Sequence, residues 1–373
     1  MHANPSPRHP ELVAGPVSRR PALLVAIFAA TLGLGCQKQA APVTAPPPAL
    51  APDAATVAAE PAQDLVRHQP GTLFGGELGL DHVGIAVRDL DVARRVYTET
   101  LGFGAPMDGT LANGLKNVTL YFADNGYLEL LTATDKVKAD WLAAFLEKTE
   151  GANFVLLSTW DLEETRAFLG TRGVQLTESA GGRVETRGVK PGTDPLWHTA
   201  FFQPPQVLPG GRVGFIAYRR DKRDYALSQV VKTLKVKRGP HPNSARLLKS
   251  AWMVVGDLEA AKKAYRDAGF EPLRAFEDAR LKARGVELAA GTGKGTLLLL
   301  QPSDPKGPAA AFLARRGESL CGVSIEVMSL EKAVGHLQPK TGRTFGEYSG
   351  LYGRSILLPP ELTFDLWMEL YQP

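Results

Sequence analysis

The sequence predicts an α+β fold, four βαβββ modules paired into two barrels, and three observations carry that prediction. First, Asp89-Leu90-Asp91-Val92-Ala93-Arg94-Arg95-Val96-Tyr97, closing on Gly102-Phe103, matches Asp257-Leu258-Glu259-Ala260-Ala261-Lys262-Lys263-Ala264-Tyr265, closing on Gly269-Phe270. Second, each copy follows an apolar strand and precedes a Gly-centred hairpin and a leucine-rich strand, so one supersecondary unit is repeated. Third, fainter copies lie between and after these two, and four units fill residues 80–372.

The chain begins differently. Residues 1–35 start polar, reach Ser18-Arg19-Arg20, and continue as an uncharged, mostly apolar run from Ala22 to Gly35. That run is too short for a comfortable membrane span and reads as an export signal. Gly33-Leu34-Gly35-Cys36 resembles a bacterial lipobox, with Gly33 where that box prefers leucine. The resemblance implies lipidation at Cys36 and a location in the bacterial cell envelope, held to a membrane through the N-terminal lipid anchor. Residues 36–75 are rich in Ala and Pro, cannot bury apolar surface, and read as a disordered tether.

The formal net charge of +4 over 373 residues argues against a nucleic-acid partner. With Cys36 set aside, Cys321 is the one remaining cysteine. A mature body with one thiol has neither an intrachain disulfide nor a cysteine-rich zinc site.

Module one runs from the strand His82–Val87 through the helix begun at Asp89 to the hairpin Asp124-Asn125-Gly126 and the strand Tyr127–Leu131. Module two follows with Asn153–Ser158, a helix from Asp161, and the strands His198–Gln203 and Arg212–Tyr218, completing a domain over residues 76–220. A connector over residues 221–247, carrying Lys232, Lys235, Lys237 and Arg238, reads as a solvated basic segment. Module three has the strand Ser250–Val255, the second strong helix, and a strand Thr296–Leu300 behind the turn Thr292-Gly293-Lys294-Gly295. That turn lacks the strand-to-helix context of a phosphate loop. Module four runs from Gly322–Val327 through Leu330–Val334 to Arg354–Leu358 and Phe364–Tyr371, and closes a second, degenerate domain over residues 248–373.

The opening run Leu80–Leu90 and the strand Tyr127–Leu131 resemble the glyoxalase-like members of the vicinal oxygen chelate superfamily, and the repeat extends the likeness over nearly all of 80–372. The superfamily includes glyoxalases, bleomycin-resistance proteins, fosfomycin-resistance enzymes and extradiol dioxygenases, so the likeness implies a fold and fixes no reaction. It implies a curled sheet whose concave side holds a ligand, often on a divalent ion. Strand alternation places His82, Gly84 and Ala86 on that side, with Tyr127, Glu129 and Leu131 matching them. His82 and Glu129 are therefore the first candidates for binding Zn, Mn, Fe or Ni, with Glu129 as ligand or as catalytic base.

The other modules supply less. In register, module two offers Asn153 and Ala217 for the pair, with His198 as a third-strand histidine that reaches inward. Module three offers Ser250 and Leu298, with Trp252 filling the place of Gly84; module four offers Gly322 and Glu369, with Glu326 beside them. Adjacency pairs module one with module two. The alternative, module one with module four, would bring His82, Glu129 and Glu369 together as a metal site. Two functions remain open: a metal-dependent lyase, isomerase or dioxygenase acting on a small oxygen-rich molecule, and a metal-free binding module. In the second, Tyr127, His198 and Trp367, with Trp197, Phe215 and Tyr371, contact the ligand.

Overall fold

The computed structural model describes residues 68–373 apart from 76–78, 105, 183–194, 204–206, 219–240 and 292–294. The export signal, Cys36, most of the tether and the basic run Lys232 to Arg238 lie outside the described residues, as do Thr292, Gly293 and Lys294. Among the described residues, no helix is long and apolar enough to cross a membrane.

Module one comprises β1 (Leu80–Ala86), the helix Leu90–Arg95, which continues as a π-turn over Val96–Thr100, β2 (Pro106–Leu111), β3 (Leu115–Tyr121) and β4 (Tyr127–Ala133). Module two has β5 (Gly151–Ser158), the helix Leu162–Gly170, β6 (Ala180–Gly182), β7 (Trp197–Phe201) and β8 (Arg212–Tyr218). Module three has β9 (Ala245–Val254), the helix Leu258–Asp267, β10 (Pro272–Asp278), β11 (Ala283–Ala289) and β12 (Thr296–Pro302). Module four has β13 (Ser319–Val327), the helix Leu330–Thr341, β14 (Tyr348–Ser349), β15 (Arg354–Leu358) and β16 (Trp367–Gln372).

Each module helix starts the same way. The side chains of Asp89, Asp161, Asp257 and Ser329 accept hydrogen bonds from backbone N–H groups of the first turn, satisfying donors that a helix start leaves orphaned. Small and aromatic residues four apart, Ala93 with Tyr97 and Ala261 with Tyr265, then bury one face completely.

The strands form two eight-stranded sheets in the orders β2-β3-β4-β1-β5-β8-β7-β6 and β10-β11-β12-β9-β13-β16-β15-β14. Consecutive modules therefore share a sheet, joined at its centre by the antiparallel pairs β1 with β5 and β9 with β13. The pairing of module one with module four does not occur. Both sheets turn their convex faces to one apolar core of helix and strand residues, in which Tyr97 donates its hydroxyl to the Thr363 carbonyl at 3.0 Å.

Two features escaped the sequence reading. Helices Asp140–Lys148 and Pro308–Arg316 link the modules within each half and press Leu142, Leu146, Ala309 and Phe312 onto the concave sides. The central strand pairs are also bulged. Leu80 pairs with Leu157 and His82 with Leu156, so Asp81 is an extra residue in β1; Asn153, Lys249 and Cys321 are extra in β5, β9 and β13 by the same count. All four modules carry this bulge eight residues before the helix cap, and it resets the alternation on which the groove assignment depends.

Candidate functional site: the groove of the first half

The concave side of the first sheet encloses a groove of about 430 Å³, within the range that takes a small organic molecule. His82, Tyr127, Glu129 and Leu131 line it, as strand alternation predicts. The His82 ring is 2% exposed and stacks on Tyr127 with centroids 4.2 Å apart. Its Nδ1 lies 2.6 Å from Asp81 Oδ1, and its Nε2 lies 3.5 Å from Glu129 Oε2. Asn117 Nδ2 donates to Glu129 Oε1 at 2.6 Å, and the Tyr218 hydroxyl donates to Asp81 Oδ1 at 3.0 Å.

Asp81 is the residue that strand alternation sends to the wrong face. The bulge swings its carboxylate to the groove side of β1, beside the imidazole. Burial pushes the His82 pKa down, but the hydrogen bonds and charges of Asp81 and Glu129 more than offset it and raise it to about 9. His82 is thus an imidazolium held between two carboxylates at neutral pH. Burial raises the Tyr127 and Tyr218 hydroxyls, which stay protonated donors. Asn117 Oδ1 is buried without a hydrogen-bond partner, facing Gly109 across the β2–β3 pair.

Module two does not complete a metal site. Counting seven residues back from the caps equates His82 with Phe154, since 89 − 82 and 161 − 154 agree. The parallel pairs Gly84 with Glu129 and Leu156 with Gly214 then equate Glu129 with Gly214. The expected Asn153 is the bulged residue, and Ala217 packs on the helix side. A phenyl ring and a bare backbone thus occupy the positions from which a second pair of ligands would come. Two donors, both already engaged with each other or with Asp81, do not fit a resident zinc-type ion, which takes three or more protein ligands. Among the described residues, no three of His, Cys, Asp and Glu converge as a metal site.

Several expected contacts fall elsewhere. Glu369 belongs to the second sheet, where Ser324 Oγ donates to it at 2.7 Å and the Tyr348 hydroxyl at 3.0 Å, so it does not join His82 and Glu129. Burial raises its pKa. Trp367 packs on Phe312 in the second half, with centroids 5.2 Å apart. His198 pairs across the strands with Ala217, on the face away from the groove, and its Nδ1 lies 3.2 Å from Ser179 Oγ. Trp197 lines the groove, Phe215 is wholly inside the helix-side core, and Tyr371 donates to Glu326 in the second half.

The second half has its own recess of about 460 Å³, walled in part by the Trp252 indole. Trp252 is 2% exposed and its Nε1–H donates to Ser250 and Ser324 at 3.0 and 2.9 Å. The two halves mirror each other here. A Cβ on Gly84 would meet the Phe154 ring at 2.3 Å, and a Cβ on Gly322 would meet the Trp252 ring at 2.5 Å. In each half an aromatic ring from one central strand lies over a glycine of the other, so the space beside Gly84 holds Phe154.

Arg212 was not among the candidates. It opens β8, pairs with Phe154, and lines the groove; its Cζ lies 4.3 Å from the Trp141 ring centroid and 4.6 Å from that of Phe201. Burial lowers its pKa. The cue in the sequence was alternation along β8, where Arg212, Gly214, Ile216 and Tyr218 share one face once the register is counted from the helix cap.

Comparison with known proteins agrees with this architecture. A triple mutant of 4-hydroxymandelate synthase from Streptomyces coelicolor is similar over 79% of this chain and 93% of its own, at 15% identity and a TM-score of 0.55. A hypothetical protein from Staphylococcus aureus is similar over 79% of this chain and 98% of its own, at 12% identity and a TM-score of 0.51. Identities this low establish a common fold alone. No curated protein matches the chain in sequence. The model of the glyoxalase-like domain family matches residues 80–273, more than half of the 373, from the first strand of module one into module three. The chain belongs to the glyoxalase-like domain family.

Proposed function

We propose that the groove of the first half binds a small oxygen-rich molecule and does so without a resident divalent ion. The observation that carries this reading is the polar wall around His82 in a groove whose other lining is largely aromatic and aliphatic. His82 is a protonated donor, the Asn117 amide fixes Glu129 beside it, and Tyr127 and Tyr218 flank them. Such a wall orients a carbonyl or hydroxyl oxygen by hydrogen bonds and holds a proton at His82 Nε2 that Glu129 can accept. The donor count favours this over a metal-dependent lyase, isomerase or dioxygenase, for which the superfamily likeness is the support.

The test is the metal content of the full chain purified without chelator. The proposal expects well under one equivalent of Zn, Mn, Fe or Ni, and no change on His82→Ala. One equivalent, lost on His82→Ala with the fold intact, would establish the metal-dependent reading instead.

The N-terminal segment supports a second proposal, that the mature protein is carried in the bacterial envelope on a lipid at Cys36. Cys36→Ala should then release it from membranes into the soluble fraction, and continued membrane association of that variant would rule the anchor out.

A further inference from the structure

Arg212 is a groove cation that no described carboxylate neutralises. We infer that it anchors the carboxylate of a small organic monoanion whose body packs on the rings between Arg212 and His82. This deepens the ligand-groove reading and rests on it.

The Trp141 and Phe201 rings engage the guanidinium by cation–π contact. Such contacts use the faces of a planar group whose five N–H donors point outward along its edges, in the fork that matches a carboxylate. Among the described residues, no hydrogen bond or ion pair takes those edges. Arg316 is the contrast: its side chain is buried, and it bonds Asp365 and the Glu150 and Ala152 carbonyls. A half-buried guanidinium with empty edges loses hydration that aromatic faces return only in part.

The sheet sets the reach. Glu129, Gly84, Phe154 and Arg212 are directly paired across four adjacent strands. Strands lie about 4.8 Å apart, so the two ends of this row are roughly 14 Å apart along the backbone. Long side chains from both ends, over a curled sheet, leave room for a molecule about one ring long with Phe154 as its floor. The equivalent row of the second half is Leu298, Trp252, Gly322 and Trp367, without a charge, so the fold itself does not call for an arginine here. The ligand should carry one negative charge. No lysine lines the groove, and Asp81 and Glu129 at the far wall oppose a second charge.

The test compares three probes of one shape, benzoate, benzamide and benzyl alcohol, titrated into the full chain and followed by NMR shifts, with inorganic phosphate as competitor. Benzoate should bind at least tenfold tighter than the other two and resist an equal concentration of phosphate. Arg212→Met should erase the preference, while Arg212→Lys keeps part of it. Equal binding of all three probes overturns the anchor and leaves the groove reading standing. Displacement by phosphate overturns the monoanion assignment. If none of the three binds up to millimolar concentration, the groove reading falls and the anchor with it. The comparison of probes on the unmodified chain decides the matter even where a variant fails to fold.

Discussion

His82 lies between Asp81 and Glu129, and that arrangement makes protein stability depend on pH. Its pKa rises from 6.5 to about 9 on folding, so the folded state binds the proton more tightly. The stabilisation is complete below pH 6.5 and is lost as pH rises through 9, at most about 3 kcal/mol. Denaturant unfolding at pH 6 and pH 10 should therefore differ more for the native chain than for His82→Gln, and an equal difference in both would refute the imidazolium. Asp81→Asn should move the His82 titration, followed by NMR, toward lower pH, because it removes the nearer charge. The pair His82 and Glu129 was legible in the sequence because both obey strand alternation. Asp81 and Arg212 were not: one sits on a bulge, and the other becomes a groove residue only when the register is counted from the helix cap.

At the scale of elements, the bulged central strands and the ring-over-glycine pairs shape each groove. Gly84→Ala drives a methyl into the Phe154 ring at 2.3 Å and should cost ~1–3 kcal/mol, read as a shift in the denaturation midpoint. Gly335, inside the helix Leu330–Thr341 with open space at its Cβ position, should behave oppositely: Gly335→Ala adds ~0.5–1 kcal/mol by the same measurement. The module strands and helices were readable because the strand-then-helix pattern recurs four times and the hairpin turn signal twice. The linking helix Asp140–Lys148 was overlooked because it lies outside the βαβββ unit, although it has a counterpart in Pro308–Arg316 and its buried Leu142 and Leu146 are four apart. The off-by-one match of Asn153 to His82 has a physical origin too, since the sequence carries no mark of a bulge that inserts a residue.

Across the whole molecule, two sheets built from consecutive modules share one core and divide the chemistry unequally. The first half lines its groove with His82, Asp108, Glu129 and Arg212, with Asp81 behind the imidazole. In the second half the row of Glu129 and Arg212 is filled by Leu298, Trp252, Gly322 and Trp367, and the charged residues of its recess, Glu277, Asp278, Arg280 and Glu369, lie off that row. Arg316 ties module four to module two through Asp365 and the start of β5, with its side chain 5% exposed. Arg316→Met leaves Asp365 with Arg315 alone and should lower stability by about 3 kcal/mol, seen as one earlier unfolding transition of the whole body. The module pairing was legible from adjacency. What the sequence left open was whether one site or none survived, because that depends on which side chains the second module turns inward.

The most direct measurement is a crystal structure of the full chain grown with benzoate. The account predicts density for the acid in the first groove, its carboxylate on the Arg212 guanidinium and its ring on Phe154, with no metal peak between His82 and Glu129. Benzoate in the second half, or a metal ion bridging His82 and Glu129, would contradict it.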